Sequence, residues 1–144
     1  MSIKFSKEEI IERLTQLFSG REEIVLGYLF GSYAEDKVHK FSDVDVAVYV
    51  KDLPKEKASD YKFDFIGELN SALRSDDVDL VVMNIAPPTL RNHILKHGLL
   101  LKCTDEAFRR RYLIKTYKEY EDAKHLLNIQ YEYFCKRLEK YAER

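Results

Sequence analysis

The chain of 144 residues is poor in the features that mark several protein classes. It has two cysteines, Cys103 and Cys135, with no Cys-x-x-Cys spacing. That gives no disulfide framework and no zinc-type motif, and it reads as reduced thiols. The N-terminus "MSIKFSKEEI" lacks the apolar stretch of a signal peptide. No apolar run approaches the ~20 residues that span a bilayer. Neither charge sign dominates: 24 Lys and Arg stand against 25 Asp and Glu, a net charge of -1. Bulk attraction to nucleic acid or a membrane is therefore excluded as a driving force, and a polyanion would need a local site. The expectation is a cytoplasmic, single-domain protein with no membrane contact and no direct nucleic-acid binding.

Glycine and proline are scarce, 5 and 3, so each one punctuates the chain. From Thr104 onward there is neither, which predicts a long helical segment, single or broken in two, capped by Thr104. Six of the ten tyrosines lie there, a composition that suits partner contact. Upstream, "SKEEIIERLTQLFSG" predicts a helix with a Ser6/Glu9 capping box. "EIVLGYLF", "DVDVAVYV" and "DVDLVVM" predict strands, and "LLLKC" a short edge strand. Helices are predicted from Ala58 to Leu73 and from the Pro87-Pro88 pair to Gly98. Together these describe an α/β (α+β) fold: a small mixed sheet flanked by helices, with residues 1–103 as core and 104–144 as a helical extension. The short link between the first two strands suits an antiparallel pair. The helix-bearing link to the third suits a parallel crossover.

What is present is a concentration of acid on apolar strands. Period-two alternation puts Asp43 and Asp45 on one face of the second strand, and Asp77 and Asp79 share a face of the third. Two unit charges ~4 Å apart repel by about 4 kcal/mol at an effective dielectric of 20. Such a cluster needs a cation or a proton. Hard oxygen donors with open positions favour Mg²⁺, or Mn²⁺, and two such ions can clamp a phosphoryl or nucleotidyl transfer. Gly31-Ser32, directly after the first strand, permits close backbone approach, and Ser32 is a candidate cap for a short helix whose N-terminus would receive phosphate. His93 and His97 have a metal-ligand spacing but no third ligand, and Arg109-Arg110-Arg111 reads as a charged helix start.

"GSYAEDKVHKFSDVDVAV" followed by "DVDLVVM" resembles the minimal nucleotidyltransferase family of the DNA polymerase beta superfamily, over roughly residues 20 to 102. The resemblance implies that Asp43 and Asp45 hold two metal ions, and that Asp79 completes one site and helps activate the nucleophile. It implies that Gly31, Ser32 and nearby backbone hold the triphosphate of ATP, with Ser42 in support. The chain is most similar to members that act as antitoxins to helical HEPN ribonuclease toxins. That implies a hetero-oligomer and transfer of AMP to a tyrosine of the toxin. Neutralisation by binding alone and transfer to a small molecule are the competing readings. Family members often carry Arg-Gly where Glu35 and Asp36 stand here. Lys37, His39 and Lys40 follow as candidate replacements for that positive charge.

Overall fold

A computed structural model describes residues 3–38 and 42–142. Its elements run α1 (Lys7–Ser19), β1 (Ile24–Phe30), β2 (Val44–Val50), α2 (Ala58–Leu73), β3 (Val78–Val82), α3 (Pro88–His97), β4 (Leu99–Cys103) and α4 (Glu106–Ala142). The sheet order is β3-β2-β1-β4. β1 pairs antiparallel with β2 and β4, and β2 pairs parallel with β3. The connection lengths predicted both orientations.

Strand parity divides the core. Val44, Val46, Val48 and Val50 face α1 and α2, where Ile10, Leu14, Phe18, Phe65, Leu69 and Leu73 close over them. Ala47 and Tyr49 face the opposite way, toward Ile94 of α3 and Phe108 and Tyr112 of α4. Gly27 of β1 is required by packing. A Cβ there would meet the Phe18 ring at 2.7 Å, so only glycine lets that ring lie against the strand.

The capping box of α1 forms, with the Glu9 N–H donating to Ser6 Oγ at 3.2 Å. The cap of α4 differs from expectation. Asp105, not Thr104, accepts from the Phe108 N–H at 3.0 Å, because the helix begins one residue later than the Thr104 cap required. α4 is one unbroken helix of 37 residues, about 55 Å long. Only Tyr112 and Thr116 are buried along it. Among the described residues no helix is long and apolar enough to cross a membrane.

Candidate functional site

The register of the sheet assembles the acidic cluster. Phe30 pairs with Asp45 across β1 and β2, and Asp45 pairs with Asp79 across β2 and β3. The Asp45 and Asp79 backbones therefore lie one strand spacing apart, about 4.8 Å. Gly31 follows Phe30 directly, so the end of β1 sits over Asp45. Asp43 and Asp77 each stand one residue before their strands, slightly outside the predicted bounds, and the Val44 N–H donates to the Asp77 carbonyl at 3.0 Å.

Gly31 has φ +73°, and a Cβ on it would lie 2.1 Å from Asp45 Oδ2. Both the backbone conformation and the carboxylate contact exclude other residues. Half-burial, then the charges of Asp79 and Asp43, push the Asp45 carboxyl up to about 6. Burial, with Asp43 and Asp77 beside it, also raises the Tyr33 hydroxyl. Tyr33 is thus a buried member of the acidic edge that the sequence reading did not single out. Its only signal was its place next to Gly31-Ser32.

Ser32 does not cap a helix. Gly31–Tyr33 form a single 3₁₀ turn preceded by Phe30, with no side-chain cap. The Ala34 and Glu35 N–H groups donate back to the Gly31 carbonyl, and the Lys37 N–H to the Ser32 carbonyl at 2.8 Å. Asp36, at φ +56°, turns left-handed and ends the winding before the predicted helix can continue. Ser42 sits half-buried immediately before Asp43. The Glu35-Asp36 pair is held to the fold by α1: Asp36 Oδ1 accepts from Lys7 Nζ at 2.8 Å. His39 and Lys40 lie outside the described residues, while Lys37 is exposed.

The donor set fits a divalent cation that also binds phosphate. Asp45 and Asp79 supply hard oxygens in register, with Asp43 adjacent, and their mutual repulsion is what a cation relieves. Among the described residues no three acidic, histidine or cysteine side chains are grouped closely enough to hold a metal ion by themselves. Mg²⁺ usually needs no such group, since it binds through one or two carboxylates and substrate phosphates. His93 and His97 lie on α3 with ring centroids 5.0 Å apart.

Comparison with known proteins gives the family and the fold. Residues 12–107 match the family described as polymerase beta, nucleotidyltransferase. A relative, the protein adenylyltransferase MntA of Shewanella oneidensis, is 35% identical over 102 residues, 69% of this chain and 68% of its own. A crystal structure of a toxin–antitoxin with AMP-PNP superposes with TM-score 0.69 at 28% identity, covering 89% of this chain and 97% of that one. A structure of tri-AMPylated S. oneidensis HEPN toxin in complex with MNT antitoxin superposes with TM-score 0.67 at 25% identity, over 88% and 96%. This chain belongs to the polymerase beta nucleotidyltransferase family.

Proposed function

We propose that this chain transfers AMP from ATP to a tyrosine of a HEPN-type ribonuclease toxin and thereby silences it. The observation that carries this reading is the in-register Asp45–Asp79 pair, with Asp43 adjacent, folded under Gly31. Transfer forms one bond, from the acceptor oxygen to the α-phosphorus, and breaks one, releasing pyrophosphate. Asp43, Asp45 and Asp79 would hold two Mg²⁺ ions, which supply charge neutralisation along the triphosphate and lower the acceptor's pKa. Asp79, exposed on the edge strand β3, would complete one of these sites and help activate the nucleophile. Ser32 and the turn after Gly31 would hold the β- and γ-phosphates, with Ser42 supporting Asp43. AMP-PNP in one related complex, and the AMPylated toxin in another, support ATP as donor and a HEPN protein as acceptor.

The far half of α4 is the proposed docking surface. Leu127, Tyr131, Phe134, Leu138 and Tyr141 are all more than half exposed and spaced four, three, four and three apart. That spacing makes one seam of a helix–helix contact, and it suits a helical partner. The test is incubation with labelled ATP, Mg²⁺ and the HEPN partner, with two variants beside the wild type. Label on the partner is expected from the wild type, none from Asp43→Ala, and none from Leu138→Asp, which should also fail to co-purify. An unlabelled partner with the wild type overturns the transfer reading. An Asp43→Ala protein that still silences the toxin in cells would favour neutralisation by binding alone.

A further inference from the structure

The face of the sheet that carries Asp45 also carries Tyr49, four residues along β2 and about 13 Å away. There the surface opens into two adjoining clefts of about 430 and 260 Å³, which share Tyr49, Asn84, Arg91 and Lys115. Their charge is opposite to that of the acidic edge. Lys55, Arg91, Arg111 and Lys115 line them, against one acid, Glu119.

Arg91 is the informative member. It is 8% exposed, deep for an arginine on a helix. Glu119 pairs with its Nη2, and its guanidinium lies 5.6 Å from the Tyr112 ring centroid. Its Nε is buried without a hydrogen-bond partner among the described residues. An unmet buried donor is costly, and the residue that carries it lines both clefts. One carboxylate against four cations leaves the clefts net positive, which favours an anion. An arginine fork beside a lysine suits phosphate. Tyr49, Leu53 and Ile85 add an apolar wall, and the combined volume is that of a small-ligand site.

We propose that this cleft binds the phosphate of a small phosphate ester of nucleotide size, at a site separate from the acidic edge. Arg91 and Lys115 hold the anion, Arg111 and Lys55 close the charge around it, and Tyr49 packs against the organic part. This goes beyond the transfer reaction and does not depend on it.

Calorimetric titration with EDTA present, using inorganic phosphate and AMP as probes, tests the proposal free of metal. Saturable binding of both by the wild type is expected, with AMP the tighter. Arg111→Ala combined with Lys115→Ala removes two exposed side chains, so the fold should survive, and affinity should fall at least tenfold. Asp43→Ala should bind as the wild type does. Equal affinity for the two probes overturns the ester reading, because the organic part then contributes nothing. Absence of saturable binding, or full binding by the double variant, overturns the proposal and leaves Arg91 as half of a structural ion pair. Binding lost in Asp43→Ala also overturns it, by placing the ligand at the acidic edge.

Discussion

The two faces of β2 are built from alternate residues of one seven-residue strand, and they are held to different standards. On the α1/α2 face Val44, Val46, Val48 and Val50 are at most 2% exposed under a complete hydrophobic cover. On the α3/α4 face Ala47 is buried and Tyr49 only partly so, and Asp45 is half-buried among like charges. The first face stabilises the strand, and the second uses that stability to hold a carboxylate where it is unfavourable. Strain of this kind is expected at functional sites and is tolerated only on a rigid support.

The sharpest break of that contrast is Asp45→Asn. Loss of the charge should lower nucleotidyl transfer more than about 1,000-fold, upward of about 4 kcal/mol of barrier. The same change should stabilise the metal-free protein. The sign follows from the raised pKa. The folded state holds a proton on Asp45 up to about pH 6, whereas the unfolded chain releases it in the usual carboxylate range. Stability is therefore lost as pH rises through that window. Asp45 is half-exposed, so water screening limits the effect to about 1 kcal/mol. Thermal melts in EDTA should show the Asp45→Asn variant melting higher than the wild type at pH 7.5, with the gap closing near pH 4. Mg²⁺ should raise the wild-type melting temperature at pH 7.5 and much less at pH 5, because protons compete for the same oxygens. A variant less stable than the wild type at pH 7.5 would mean that Asp45 is held by contacts and not strained by charge.

On the closed face the expected effect is on folding alone. Leu80 is fully buried in the α1/α2 cluster, next to Asp79 in sequence but on the other side of the sheet. Leu80→Ala should cost about 3 kcal/mol in urea denaturation. Transfer activity per folded molecule should change little. A large loss of specific activity at full folding would show that the two faces are mechanically coupled through β3.

This division was legible because it rests on local pattern. Valine at every second position of β2 fixes one face, and that parity forces Asp45 onto the other. Scarce glycine and proline marked the ends of α3, and the lengths of the two links gave the strand orientations and so brought Asp45 beside Asp79. Features that depend on packing between distant segments were not legible. Whether "SYAEDK" forms a helix depends on the backbone at Asp36, which turns left-handed at φ +56° and ends the turn. The helix cap moved from Thr104 to Asp105 because neighbouring residues compete for one role. Arg91 read as an ordinary charge on α3, and only the packing of α4 against α3 buries it. No periodicity reports a contact between Lys7 and Asp36, 29 residues apart.

That contact gives the smallest effect and the finest test of how the acidic edge tolerates ATP. The ion pair is at the surface, so Lys7→Ala should cost at most about 1 kcal/mol of stability. Its consequence for the site is electrostatic. With Lys7 present the Asp36 charge is neutralised close to its source, and without it the charge acts on whatever binds beside Gly31. A unit charge about 10 Å from a phosphate charge is worth about 0.4 kcal/mol in water. ATP affinity measured at low salt should therefore fall about twofold in Lys7→Ala. Asp36→Asn in the same background should restore it, since the charge to be neutralised is then gone. Because Debye screening acts over about 8 Å at 0.15 M salt, the difference should shrink as salt is added. A Lys7→Ala defect that persists at high salt, or that Asp36→Asn leaves unrepaired, would assign Lys7 a mechanical role in holding the loop.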